Sequence, residues 1–228
     1  MTTPLTTLPN FDPRKIPVVA GESRLPPVSR DRLAPDAIRA RFKAAPQWEP
    51  EVKQEPRFMD RGPANAAVLV PIVRRAQPTV LLTERTLHLS THSGQVAFPG
   101  GKADEGDVDP AATALREAHE EVGLERRFAE VIGTLPIYLT GSSFHITPVV
   151  ALIDPAYQLH VNPFEVAAAF EVPLAFLMDP ANHRRHAIDL EGFRREWFSM
   201  PWQDGPHERF VWGATAGMLR NFYRFLSA

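Results

Sequence analysis

Gly100-Gly101-Lys102-Ala103-Asp104-Glu105-Gly106-Asp107-Val108-Asp109-Pro110-Ala111-Ala112-Thr113-Ala114-Leu115-Arg116-Glu117-Ala118-His119-Glu120-Glu121-Val122-Gly123-Leu124 is the stretch on which the fold turns. Its second half predicts a helix over residues 110–122. Asp109 is the expected N-cap, Pro110 the first helical residue and Gly123 the stop. At about 100° per residue, Glu117, Glu120 and Glu121 fall within an arc of about 100°. Ala111, Ala114, Leu115, Ala118 and Val122 fall on the other side and are expected to be buried. Three carboxylates on one face repel one another unless a positive charge sits among them. A hard, oxygen-seeking cation such as Mg²⁺ or Mn²⁺ meets that need. A solvated acidic face is the bland alternative. Arg116 beside the cluster and the Gly-Gly pair before the helix weigh against it, because backbone at glycine can approach a phosphate.

The remainder of the chain sets the frame. It has 228 residues, 44% hydrophobic and 23% charged, with a formal net charge of −2. Such a near-neutral chain is not a general polyanion binder, so no nucleic-acid partner is expected. The absence of Cys excludes disulfides, Cys-ligated zinc, iron–sulfur clusters and a Cys nucleophile. No apolar run reaches the roughly 18 residues of a membrane span. The first residues carry no apolar signal-peptide core, and the expected location is cytoplasmic.

Ten of the 23 prolines precede Gly62. Residues 1–62 are therefore expected to form an extended arm with one short helix, capped by Asp36 and stopped by Pro46. Leu33, Phe42, Trp48 and Phe58 call for packing of that arm on the main domain, residues 63–228. Ala66–Val73 and Thr79–Thr83 read as a hairpin, and Gln95–Phe98 as a short strand. Phe128–Leu139 and Phe144–Ile153 read as strands around a Gly141-Ser142-Ser143 turn. Glu165–Phe170 reads as a strand, and Val172–Met178 as a short helix begun by Pro173. Phe193–Phe198 and Phe210–Trp212 are late strands, and Ala214–Leu226 a last amphipathic helix. Strands and helices mix without strict alternation, which points to an α+β or mixed α/β fold.

Arg116-Glu117-Ala118-His119-Glu120-Glu121-Val122-Gly123-Leu124 resembles the helix half of the Nudix box. The front half departs from it, because Val108 stands at the usual Glu position. One extra loop residue, with Asp107 or Asp104 in place of that Glu, restores the pattern. The resemblance implies that this front carboxylate braces the Arg. A second block, Leu81-Leu82-Thr83-Glu84-Arg85 through Phe98-Pro99-Gly100-Gly101, resembles the signature of coenzyme A pyrophosphatases within that superfamily. Thr86 replaces its Ser/Ala and Ser90 its Arg, with His88 and His92 as neighbouring substitutes for the cation. Asn162–Leu174 and Trp212–Ala216 are also similar to that subfamily.

The resemblance implies a Nudix-type α/β/α sandwich and a Mg²⁺- or Mn²⁺-dependent pyrophosphohydrolase. It implies metal-binding at Glu117, Glu120 and Glu121, with Arg116 and Glu165 completing the catalytic set. Substrate-binding is expected at Arg85, Gly94, Gln95, Gly100 and Gly101. The expected partner is a small-molecule diphosphate, coenzyme A or acyl-CoA, and a homodimer is compatible with this reading. ADP-ribose or another nucleotide derivative is the alternative substrate, and a non-catalytic binding module the alternative class. Trp197, Trp202 and Trp212 are weighed as adenine platforms and more readily as packing residues. His145 is weighed as a substrate contact and more readily as a strand residue with a satisfied hydrogen bond, and the basic clusters Arg184-Arg185-His186 and Arg194-Arg195 as phosphate contacts and more readily as solvated surface.

Overall fold

The structure is a computed structural model, and it describes residues 12–21, 24–57, 62–87, 94–190 and 193–228. Phe58, His88, Ser90 and His92 lie outside the described residues. In chain order the elements are β1 (Val18–Gly21), α1 (Pro35–Lys43), β2 (Ala64–Val73), β3 (Thr79–Arg85), β4 (Val96–Ala97), β5 (Gly100–Lys102) and α2 (Pro110–Val122). There follow β6 (Ala129–Thr134), β7 (Tyr138–Leu139), β8 (Phe144–Ile153), β9 (Val166–Pro173), α3 (Leu174–Leu177), β10 (Arg184–Leu190), β11 (Phe193–Asp204), β12 (His207–Trp212) and α4 (Gly213–Ser227). The fold is mixed α/β, with helices on both faces of a large sheet.

β2 is the strand around which this sheet is built. It pairs in parallel with β8 over its whole length and antiparallel with β5 and, at one end, β3. Both its faces are covered, which is why it reads as a continuous apolar run. Ala67, Leu69 and Val73 point to the side covered by α2, with Ala114, Leu115, Ala118 and Val122. Val68, Val70 and Ile72 point to the other side, where Met218, Leu219 and Phe222 of α4 pack. Truncating a fully buried residue such as Leu69 to Ala would cost about 2–5 kcal/mol.

Several local expectations are corrected. Only two residue pairs join β2 to β3, Ile72 with Val80 and Val73 with Thr79. The remainder of that edge of β2 is taken by β5, so the expected hairpin is short. The strand expected over residues 128–139 is split into β6 and β7. β9 runs through Val172 and Pro173, which pair with Val80 and Thr79. The helix therefore starts at Leu174, and Pro173 stands at its N-cap rather than inside it. Ala34, not Asp36, is the N-cap of α1, because Pro35 with its fixed φ takes the first helical position. β1 and β10 were not expected. They join β11 and β12 in a second, four-stranded sheet. The Arg184-Arg185-His186 cluster belongs to β10 and is paired with β11 residue by residue. Its long polar side chains hid the alternation.

The arm is stitched to α4. Tyr223 donates to the Pro26 carbonyl, and Asn221 exchanges two hydrogen bonds with the Val52 backbone. Arg32 and Arg41 donate to carbonyls at the end of α4, where cations complement the helix dipole. Leu33 and Ile38 are buried, and Phe42 and Trp48 pack beside Phe225. The deepest tie is Arg220, which is 1% exposed. It donates to Glu51 of the arm at 2.8 Å and to His183 Nδ1 at 3.1 Å.

That geometry fixes the His183 tautomer. Nδ1 accepts from a guanidinium that stays charged, so Nε2 carries the proton donated to the Leu177 carbonyl at 2.8 Å. Burial, with Arg220 adding to it, pulls the His183 pKa down to about 4. In the unfolded chain the imidazole takes a proton near pH 6.5, and in the folded chain it does not until about pH 4. Stability is therefore full above pH 6.5 and falls as pH drops towards 4, by about 2 kcal/mol at pH 5. Urea unfolding at pH 7 and pH 5 should show this loss, and His183→Gln should lose less between the two. Equal losses in both proteins would refute the assignment.

Candidate active site

α2 has the ends its sequence calls for. Asp109 Oδ1 accepts from the Ala112 N–H at 2.7 Å. Gly123 takes φ +70° and closes the helix. With the apolar stripe of α2 against β2, Glu117 and Glu121 are directed at β5 and Glu120 at solvent. Gly100 and Gly101 are not a free loop; they pair with Val68 and Ala67 of β2. A Cβ at Gly101 would collide with the Glu117 carboxylate. Glycine here lets the acidic helix lie directly on the strand.

Arg116 is the hub. Nε and Nη2 donate to the two carboxylate oxygens of Asp107 at 3.1 and 2.9 Å, a bidentate fork. Nη1 donates to Glu117 and to Glu120, each at 3.0 Å, and Nη2 also to the Lys102 carbonyl at 3.1 Å. Asp107 thus occupies the bracing position, while Asp104 stays 3.8 Å away. The Arg116 guanidinium, with the Asp104 and Thr113 hydrogen bonds, holds the Asp107 carboxyl well below the usual range.

Glu121 is the buried member, 3% exposed. Its Oε2 accepts from the Gly100 N–H at 3.3 Å and its Oε1 lies 3.7 Å from Arg85. Burial pushes its pKa up to about 7, and the Glu117 and Glu165 carboxylates push the same way. Glu117 is raised by burial too, with Glu120 and Glu165 adding to it. Glu165 stands in the turn before β9, where Asn162 Nδ2 donates to its Oε1 at 3.1 Å.

These donors fit a divalent cation in chemistry: hard carboxylate oxygens, partly desolvated and short of positive charge. Among the described residues no three acidic or histidine side chains are arranged to enclose an ion. Glu117 and Glu120 are instead closed on Arg116. Engaging a cation requires them to leave Arg116, and the Asp107 fork keeps the guanidinium in place when they do.

Beside the cluster lies a cavity of about 320 Å³. Arg85, Gln95, Gly100 and Gly101 line it. Gly94 does not; it turns the chain, its N–H donating to the Arg85 carbonyl at 3.2 Å. Arg85 Nε is buried with no hydrogen-bond partner among the described residues. Trp212 lines the cavity, whereas Trp197 stacks on His186 and Trp202 packs on Phe176. His145 lies on β8 away from this cavity, and Arg194 pairs with Asp189 and Glu196. Sequence reasoning missed Glu55 and treated Arg195 as surface; both line the cavity. For Arg195 the signal was the Arg194-Arg195 pair, set aside as surface; for Glu55, in no motif, the sequence offered none.

The NUDIX domain family matches residues 63–202. The chain belongs to the Nudix family. A protein of Escherichia fergusonii described as uncharacterized Nudix hydrolase NudL is 46% identical over 156 residues, 68% of this chain and 79% of that protein. Its namesake in Shigella flexneri serotype 5b is 45% identical over 165 residues, 71% of this chain and 84% of that one. The solved Nudix hydrolase RenU of M. smegmatis is 29% identical, with a TM-score of 0.39 over 50% of this chain and 73% of its own. This Nudix chain is a hydrolase of diphosphate bonds. Nudix hydrolases use divalent metal ions and act on small-molecule diphosphates. Among the described residues no helix is long and apolar enough to cross a membrane.

Gly101→Ala should test the close approach of α2 to β5. The added methyl displaces Glu117 but leaves the core untouched. Diphosphate hydrolysis should fall by about 100-fold, as an ångström-scale misplacement of a catalytic group does. The thermal midpoint should move little. Wild-type turnover in Gly101→Ala would show that Glu117 is not where the chemistry happens.

Proposed function

We propose that this Nudix hydrolase cleaves the diphosphate of coenzyme A or acyl-CoA, giving 3′,5′-ADP and (acyl-)4′-phosphopantetheine. The observation that carries the reading is a contact at the cavity wall: Arg85, which lines the cavity and has an unmatched buried Nε–H, lies 3.7 Å from Glu121 of the acidic helix. A buried donor without a partner costs about 1–3 kcal/mol, and an anionic diphosphate oxygen would satisfy it. Arg85 belongs to the sequence block that resembles coenzyme A pyrophosphatases, and Gln95 of the same block lines the same cavity.

In this proposal Glu117, Glu120 and Glu121 hold Mg²⁺ or Mn²⁺. When bound, the ion supplies charge neutralisation on the diphosphate and a more acidic water. The chain's own residues do the remainder. Arg85 orients the diphosphate. Arg116, anchored by Asp107, fixes the carboxylates. Glu165, beside Glu117 and Glu121, takes the proton of the attacking water. One P–O bond forms to that water, the bridging P–O bond breaks, and both products leave as phosphate monoesters. Residues 63–228 form the hydrolase domain in this reading and residues 1–62 its extension. The enzyme is taken to be cytoplasmic and able to act as a homodimer. Ser90, where the block departs from its pattern, favours ADP-ribose as the second substrate to test.

EDTA should abolish hydrolysis and Mg²⁺ or Mn²⁺ should restore it. Glu120→Gln should cut kcat strongly with no loss of thermal stability, since it removes an exposed charge from a repelling set. A panel of coenzyme A, acetyl-CoA, ADP-ribose and nucleoside diphosphates, read by product chromatography, tests the substrate. Full turnover without metal, or in Glu120→Gln, would move the site elsewhere. Activity on ADP-ribose alone would reject coenzyme A.

A further inference from the structure

The cavity beside the acidic helix is only partly made by the segment that matches the Nudix family. Glu55, on the arm before that segment, and Gly213, Ala214, Thr215 and Met218 of α4 after it complete its lining. Glu55 is held there firmly. Its Oε1 accepts from the Tyr138 hydroxyl at 3.0 Å and its Oε2 from the Gly141 N–H at 3.1 Å. Its own N–H donates to the Leu139 carbonyl at 2.8 Å. Tyr138 is itself 2% exposed and lies on α4 at Gly217, where a Cβ would stand 2.5 Å from the hydroxyl. The side chain of Arg195, 9% exposed, comes within 3.7 Å of Glu55 Oε2.

The polar end of the cavity therefore carries one carboxylate and one guanidinium, with the hydroxyls of Thr140 and Ser142 beside them. The walls between this end and Arg85 are apolar: Val96, Phe98, Phe144, Ile146 and Met218. An anion entering this end would meet Glu55, and a cation would meet Arg195. A neutral group with an N–H and an acceptor side by side meets both with the right sign. Glu55 accepts from its N–H, and the hydroxyls or Arg195 donate to its acceptor. Apolar flanks suit the walls.

We propose that this end of the cavity is the specificity subsite of the hydrolase, and that it reads the neutral organic half of the diphosphate substrate through an adjacent donor–acceptor pair, with Glu55 of the arm as the reading residue. The inference rests on the coenzyme A reading for its choice of probes. In coenzyme A the edge of the purine carries such a pair, and each of the two pantetheine amides carries an N–H from which Glu55 can accept and a carbonyl that a neighbouring donor can meet. The arm is then part of the binding machinery and not only a packing element.

The full-length chain with Mg²⁺, titrated calorimetrically with 3′,5′-ADP and separately with 4′-phosphopantetheine, tests this. Glu55→Gln keeps the size and the Tyr138 contact but removes the charge. It should weaken one half by roughly tenfold, as loss of one charge-assisted hydrogen bond does, and leave the other within about twofold. KM for coenzyme A should rise while kcat changes little, a split that a purely structural tie would not give. Loss for 3′,5′-ADP marks the purine edge, and loss for 4′-phosphopantetheine marks an amide. Ala214→Leu fills the cavity from α4 without touching the ion pair and should raise the same KM, so the idea stays testable if Glu55→Gln folds poorly. If wild type binds a half and both variants bind both halves as tightly, the subsite is overturned. If wild type hydrolyses ADP-ribose and not coenzyme A, the coenzyme A reading fails by itself. The subsite is then judged by the same variants on AMP against ribose 5-phosphate.

Discussion

A single guanidinium, that of Arg116, organises the acidic end of α2 and the loop before it. It stands between a loop and a helix and is bonded to both: Asp107 and the Lys102 carbonyl on one side, Glu117 and Glu120 on the other. Without it, three carboxylates of one helix face and a fourth from Glu165 would repel with little to offset them. With it, α2 can press its alanine-rich stripe on β2 while its carboxylates lie against β5. The exposed contact to Glu120 contributes little to stability, as is usual for such pairs. The bidentate Asp107 fork counts for more, because it sets where the guanidinium stays.

The same compromise appears in Glu121. A carboxyl 3% exposed, its pKa pushed to about 7, is a poor choice for a stable core. It is tolerated because Gly100 and Arg85 partly compensate, and it leaves the protein with a site that a cation would stabilise. Any ligand that binds the folded state alone raises stability by mass action. Under the proposed metal binding, a site electrostatically short of positive charge would couple folding to the ion. The unmatched Nε–H of Arg85, whose guanidinium lies 3.7 Å from Glu121, is the complementary shortage, of acceptors.

How much of this was legible in the sequence depends on whether the determining contact is local. α2 was legible to the residue, since its cap Asp109, its first-turn Pro110 and its terminal Gly123 act within a few positions. The bracing role of Asp107 was narrowed to two residues and needed the structure to choose between them. β1 and β10 were not legible. β1 is a short strand whose partner is far along the chain, while β10 pairs with the next strand and was hidden by its polar side chains, so pairing decided what local propensity did not. Pro173 misled for the same reason. A proline at the edge of a helix is a sound local signal, but the pairing of β9 with β3 extends the strand through it.

Glu55 marks the limit of sequence reasoning. It stands in a proline-rich arm with no periodicity, and nothing adjacent to it suggests a ligand. Its place depends on a chain of distant contacts. Gly217 makes room for Tyr138, Tyr138 holds the carboxylate, and the arm is kept against α4 by Glu51 and Arg220. The apolar residues of the arm explain why it packs, and the ion pair of buried Arg220 with Glu51 explains why it packs in one register, because a slip would strand the Arg220 charge without Glu51. An arm fixed in register can deliver one side chain to one point. That is what distinguishes a segment that merely covers a core from one able to take part in recognition.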